Sequence, residues 1–165
     1  IGVRLVGSEM CIRDRGSVGR IEATGRGVMV STLAALTKMK INPFKATVAI
    51  QGFGNVGSWA AQLLKERGCK IIAISDVSGG YYNEEGIDVG KAITHKNENN
   101  GVLENFDGGK KITNEELLTL DVDVLIPAAL ENTITENDIM IDSSLQSTEK
   151  SLADRLQSGN MVATA

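Results

Sequence analysis

The apolar positions of this chain change period several times. From about Glu22 to Lys40, Met29, Leu33, Leu36 and Met39 recur at three- and four-residue intervals beside Val28 and Ala35, the spacing of a half-buried helix. Asn42-Pro43 then ends that helix. ATVAIQ at 46–51 is instead a continuous apolar run rich in β-branched residues and stopped by Gly52, which predicts a buried parallel strand. Val56, Ala60, Leu63 and Leu64 return to a helical period. Lys65, Arg67 and Gly68 close this second helix with the cations and the glycine that a helix C-terminus favours. KIIAIS at 70–75 predicts a second buried strand with Asp76 at its end, so strand, glycine turn, helix and strand form a βαβ unit.

Beyond this unit, GGYYNEEG reads as a turn region, residues of roughly 85–96 as a helix, and KNENNGVLENFDGGKK at 96–111 as a polar loop. Thr113 with Glu116 three residues later is a capping box that opens a short helix through Leu118. VDVLIPAAL at 122–130 predicts another buried strand, with Pro127 placed where pairing stops. One helix is expected near 147–157, and no further buried strand is evident after Asn137. Residues 1–15 follow neither period. The pattern predicts an α/β fold, Rossmann-like and doubly wound around a mostly parallel sheet. Residues 16–140 form the domain, 141–165 an unassigned tail, and the sheet is expected to be truncated on its C-terminal side.

A length of 165 residues fits one domain. The net charge of -4 is unevenly spread, because residues 76–142 carry 15 acidic and 4 basic side chains. An acidic body repels phosphate backbones, and three Phe, two Tyr and one Trp give little material for base stacking, so nucleic-acid binding is disfavoured. No apolar run approaches the roughly 20 residues of a membrane span, and no secretory signal is read, which leaves a cytoplasmic expectation. Cys11 and Cys69 lack CxxC spacing and a histidine cluster, so free thiols are expected and no metal site.

GFGNVG, residues Gly52, Phe53, Gly54, Asn55, Val56 and Gly57, fits GxGxxG. Alone the pattern is weak; here a strand precedes it, a helix opens from it, and Asp76 lies 19 residues beyond its last glycine. Gly52 permits the tight turn, Gly54 lets the backbone approach a pyrophosphate, and Gly57 lets helix and strand pack closely. The helix N-terminus offers free N–H groups to phosphates, and Asp76 can accept hydrogen bonds from an adenosine ribose. NAD is expected in preference to NADP, because a 2′-phosphate would meet this carboxylate and no Lys or Arg lies between Lys70 and Lys91; NADP stays open as the alternative. The remaining candidates carry less. His95, the only histidine, reads as a solvated surface residue, Glu84–Glu85 and Glu115–Glu116 as first-turn carboxylates, and Asp121 and Asp123 as exposed strand-flanking residues. One histidine so placed assembles no Ser–His–Asp or Cys–His constellation, and no catalytic residue is assigned.

GSVGRIEATGRGV (16–28), ATVAIQGFGNVGSWAAQLL (46–64), ISDVSGGYYNEEG (74–86) and KITNEELLTLDVDVLIPAALENTIT (111–135) together resemble the cofactor-binding domain of glutamate dehydrogenase, within the Glu/Leu/Phe/Val dehydrogenase group. The resemblance implies oxidation of L-glutamate: hydride passes from its α-carbon to a nicotinamide, and the imine is hydrolysed to 2-oxoglutarate and ammonia. It further implies that Arg20 and Thr24 lie by the nicotinamide end, that Asn55 is a cofactor contact, and that Ala129 and Asn132 border the nicotinamide ribose. The substrate domain of the family, with its lysine and its proton-shuttling acid, has no counterpart here, and neither has the EGANGPT-like segment that follows PAALENTIT. Residues 2–15 resemble translated sequencing-adapter text. A fragment with foreign ends, catalytically incomplete, is therefore expected, from a parent enzyme that is a homo-oligomer. The competing readings are a stand-alone dinucleotide-binding sensor and a remnant without function.

Overall fold

A computed structural model describes residues 20–129 and the backbone of 161–162. Helix α1 spans Arg20–Lys38, and a 3-10 turn at Pro43–Lys45 leads from it into strand β1, Thr47–Gln51. Helix α2 covers Asn55–Glu66, β2 Lys70–Asp76, β3 Gly79–Tyr82 and α3 Val89–Glu98. Then come β4 at Lys110–Ile112, α4 at Asn114–Leu118, β5 at Val124–Pro127 and β6 at Met161–Val162. Asn42 caps the 3-10 turn by accepting from Phe44 N–H, and Thr113 and Glu116 close both halves of the capping box at α4.

The strands form one open sheet in the order β4-β3-β2-β1-β5-β6. Pairs β1/β2, β1/β5 and β5/β6 are parallel, whereas β2/β3 and β3/β4 are antiparallel. The predicted α/β sheet is present, with three departures. The GGYY segment, read as a turn, is strand β3: after Asp76 the chain reverses in two residues and pairs back on β2, Asp76 opposite Gly79 and Ser75 opposite Gly80. A side chain at Gly80 would crowd Ile112 and Ser75, so glycine here serves close strand approach as well as turning. The loop expected through residue 111 ends earlier, in β4. Finally, Met161–Val162 pairs with Val124 and Leu125, a strand where none was expected; two residues carry too little pattern to read. The helix expected near 147–157, like residues 1–15, lies outside the described residues.

Helices cover both faces. Val48 and Ile50 of β1 and Ile71 and Ile74 of β2 pack with Met29 and Leu36 of α1, Ala60 and Leu64 of α2, and Ala92 of α3. Ala49, Ala73 and Leu125 face the other way, onto Leu117 and Leu118 of α4. Register between β1 and β2 slips at Ile72, which lets Ile72 and Ala73 both join this second cluster. Cys69 is buried in the first cluster as a free thiol, as expected, and burial pushes its pKa up.

Candidate functional site

The chain leaves β1 in one direction, through α2 to β2, and returns to the opposite side of β1 as β5. The carboxyl ends of β1 and β5 therefore flank a topological switch point, the crevice where open α/β sheets bind ligands. GFGNVG fills this crevice. Gly52 has φ +90, and a Cβ there would lie 2.5 Å from the Ala128 carbonyl oxygen. The ladder continues past both strand ends, with Ala128 N–H donating to Gln51 O at 2.7 Å and Gly52 N–H to Ser75 O at 2.9 Å. A Cβ on Gly57 would lie 1.9 Å from Gly52 O, so helix and turn touch with no side chain between them.

Gly54 differs from both. It is the N-cap of α2 with φ -71 and ψ -154, no side chain caps the helix, and a Cβ built on it meets nothing within 4 Å. An exposed glycine at an uncapped helix N-terminus leaves both the space and the N–H donors that a pyrophosphate requires. By this measure the residues present fit a dinucleotide.

Helix α1 is brought to the same place by two contacts. Asn55 donates from Nδ2 to Ile21 O at 3.0 Å, and a Cβ on Gly25 would lie 2.6 Å from Trp59 Cβ, so only glycine allows α1 to lie this close to α2. Arg20 and Thr24, both exposed, thus stand on the first turns of α1 beside the glycine turn. Ala129 is exposed just beyond β5, while Asn132 lies outside the described residues. Phe53 is 1% exposed and lies in the core, and half-buried Val56 packs against the same cluster.

Asp76 ends β2 at the crevice, but its carboxylate is engaged within the chain. Oδ1 accepts from Ser78 N–H at 2.8 Å and Ser78 Oγ–H at 2.6 Å, and Oδ2 accepts from Leu103 N–H. Gln51 and Ser75, paired across β1 and β2, are buried with their side-chain oxygens Oε1 and Oγ unpartnered. Nothing in the sequence singles out Gln51. Lys96, in the last turn of α3, joins these residues. Its ammonium stands 5.9 Å from the centre of the Phe53 ring; burial pulls its pKa down, and the nearby Asp76 charge acts against that. Lys96 lies beyond Lys91 in the chain and reaches Phe53 only through the fold of α3.

The other candidates fall elsewhere. His95 is half-buried rather than solvated, its Nε2 2.8 Å from Glu104 O and its ring 5.5 Å from Phe106. Glu84, Glu85, Glu115 and Glu116 are exposed. Asp123 is only half-exposed and accepts from Thr47 N–H and Oγ–H, both at 2.8 Å, which corrects its reading as a surface residue. An open groove of about 1160 Å³ between α3 and the β3–β4 edge, lined by Tyr82, Lys91, His95 and Asp107 among others, shares no residue with the glycine turn. Among the described residues no His, Cys, Asp and Glu cluster suits a metal, and no helix is long and apolar enough to cross a membrane.

An open α/β sheet with a glycine turn and an uncapped helix at its switch point defines a Rossmann-like domain. The sequence model of the Glutamate/Leucine/Phenylalanine/Valine dehydrogenase family matches residues 16–147, and the chain belongs to that family of amino-acid dehydrogenases. The glutamate dehydrogenase of Thermotoga maritima is 56% identical over 120 residues, 72% of this chain and 29% of that protein. Glutamate dehydrogenase A2 of Halobacterium salinarum is 49% identical over 120 residues, 73% of this chain and 29% of that protein. Among solved structures, the hetero-hexameric glutamate dehydrogenase of Thermus thermophilus in a leucine-bound form is similar with a TM-score of 0.67 and 27% identity, over 76% of this chain and 29% of that one. The chain thus spans 29% of the length of these relatives.

Proposed function

We propose that this chain is the dinucleotide-binding part of a glutamate dehydrogenase. NAD or NADP lies across the carboxyl ends of β1, β2 and β5, with its pyrophosphate on Gly54 and the N-terminus of α2. The observation that carries this reading is the contrast among three glycines of one turn: Gly52 and Gly57 are closed against backbone, while Gly54 opens on free space. When bound, the nicotinamide supplies the hydride acceptor for the α-carbon of L-glutamate. The residues of this chain bind and orient: Arg20 and Thr24 on α1, with Ala129 after β5, flank the nicotinamide end, and Asn55 ties α1 to the turn. The lysine and acid that move protons in the resembled enzymes are supplied by the substrate domain, so this chain alone does not oxidise glutamate. The whole enzyme is a cytoplasmic homo-oligomer in this reading.

Titrating the full chain with NAD and NADP, followed by calorimetry or by the fluorescence of half-buried Trp59, tests the reading. Saturable binding is expected, and Gly54→Val, whose branched side chain occupies the open space, should abolish it while leaving the fold intact. Unchanged affinity in that variant would overturn the assignment.

A further inference from the structure

The charges of this acidic chain are segregated. Residues 23–65 hold no Asp or Glu, and Lys38, Lys40, Lys45, Arg67 and Lys70, all exposed, gather at the amino end of the sheet. The fold joins them, since β1 and β2 start side by side with Thr47 opposite Lys70, and Lys70 N–H donates to Ala46 O at 2.9 Å. Among the described residues none of the five forms an ion pair. Beside Lys45 and Arg67, Phe44 is 77% exposed, its ring resting on Gly68, where a Cβ would lie 2.4 Å from it. Helix C-termini favour cations, which accounts for Lys38 and Arg67. It does not account for Lys45, Lys70 and an aromatic ring left in water. An apolar centre with a charged rim is the anatomy of a docking surface.

Next to this patch lies the groove of about 1160 Å³ between α3 and the β3–β4 edge. Glu84, Asp88, Glu98 and Asp107 line it against Lys91 and Lys110, so its charge is opposite to that of the patch. Tyr82 and Phe106 add aromatic surface to the lining, which does not include Phe44 of the same chain. Patch and groove share a border: Lys65 Nζ is 3.4 Å from Asp88 Oδ1, and a Cβ on Gly86 would lie 3.5 Å from Lys70 Cγ. A second copy turned about a two-fold axis can therefore set its patch on this groove while offering its own groove to this patch. Such a contact closes at two copies and leaves no free end for a filament.

We propose that this face is a self-association surface: the Phe44 ring of one copy enters the groove of a second, with Lys45 and Arg67 facing Glu84 and Glu98, and the contact is made twice. A second copy suits the patch better than a nucleic acid does. The net charge of -4 repels phosphate backbones, whereas the carboxylates that the patch needs stand on the chain itself. The patch lies at the opposite end of β1 and β2 from the glycine turn, and the groove shares no residue with that turn, so the dimer is independent of the dinucleotide reading.

Sedimentation velocity of the full chain over a range of concentrations tests this. A reversible monomer–dimer equilibrium without larger species is expected, and added salt should weaken it. Phe44→Ser should raise the dimer dissociation constant about ten- to a hundred-fold, the change that corresponds to burying one Phe side chain. A chain with Lys45→Glu and Arg67→Glu, and another with Glu84→Lys and Glu98→Lys, should each be monomeric. Mixing these two should restore a dimer, because each contact then joins opposite charges again, and that recovery excludes misfolding as the cause of the monomers. A parent chain that stays monomeric at low salt, a dimer that Phe44→Ser leaves unweakened, or reversed chains that do not recover on mixing would overturn the proposal. Monomers that bind poly-L-glutamate or a DNA duplex through Lys45 and Arg67 would give the patch to a different acidic partner and overturn it as well.

Discussion

A Cβ placed on Gly57 would sit 1.9 Å from the carbonyl oxygen of Gly52, a distance no side chain can occupy, whereas the same atom on Gly54 meets nothing within 4 Å. The two glycines therefore differ: packing requires Gly57, whereas the space beside Gly54 is open. Gly57→Ala must push α2 off the end of β1, an overpacking of the kind that costs about 1–3 kcal/mol or more. Gly54→Ala meets no neighbour and keeps an ordinary φ of -71, so its cost should be limited to the poorer N-cap, about 1 kcal/mol or less. Urea midpoints for the two variants check this. Equal destabilisation would mean that Gly54 is also held by packing.

Gly25 bears on α1 in the same way. A Cβ there would lie 2.6 Å from Trp59 Cβ and 2.9 Å from Ala60 N, and backbone offers no flexible end that could yield. Gly25→Ala is expected to destabilise the chain by about 1–3 kcal/mol. It should also weaken dinucleotide binding, since α1 carries Arg20 and Thr24 beside the glycine turn. Gly27→Ala, where a Cβ meets nothing within 4 Å, is the control and should stabilise slightly, because alanine is the better helix former. A destabilised Gly27→Ala with an unaffected Gly25→Ala would show that the interhelical contact is placed wrongly.

Most of the site that lies within a short span of sequence was legible there. GFGNVG, the strand before it, the helix after it and Asp76 could be read because each element carries its own period or turn chemistry within a few residues. What was not legible depends on groups far apart in the chain. Nothing in the sequence announces that Asn55 reaches Ile21, that Leu103 N–H occupies Asp76, or that Lys96 arrives over Phe53. Strands β3 and β4 escaped for a different reason. They are four and three residues long, with two glycines in the first, too short to show a strand period.

Thr47 and Asp123 show how such a distant pairing stabilises the fold. Asp123 Oδ2 accepts from Thr47 N–H and Oγ–H, and Thr47 Oγ in turn accepts from Asp123 N–H at 3.1 Å, joining the starts of β1 and β5 in a closed ring. Asp123→Ala strands the Thr47 N–H at a half-buried position and should cost about 1–3 kcal/mol, whereas Asp123→Asn retains an acceptor and should recover part of it. Denaturant titrations of the two variants decide the matter. An alanine variant as stable as the parent would return Asp123 to the solvated surface.

Asp88 makes the start of α3 sensitive to acid. Its Oδ1 accepts from Gly90 N–H at 3.1 Å and from Lys91 N–H at 3.4 Å, with the Lys65 ammonium also 3.4 Å away. The backbone bond from Lys91 is the main influence holding the Asp88 pKa below its ordinary value, with smaller help from Lys65 and Gly90 and some opposition from burial. A carboxylate whose pKa falls on folding contributes stability above its unfolded pKa, near 3.8, and loses that contribution as pH drops through the lower folded value. Asp88→Asn keeps an N-cap of similar quality but cannot titrate. The parent should therefore be more stable than the Asn variant at pH 7, with the gap closing as pH is lowered from about 5 towards 3. Urea midpoints of both chains across that range provide the measurement. A gap that stays constant with pH would show that the carboxylate charge contributes nothing at this cap, and a gap that widens in acid would reverse the sign of the linkage.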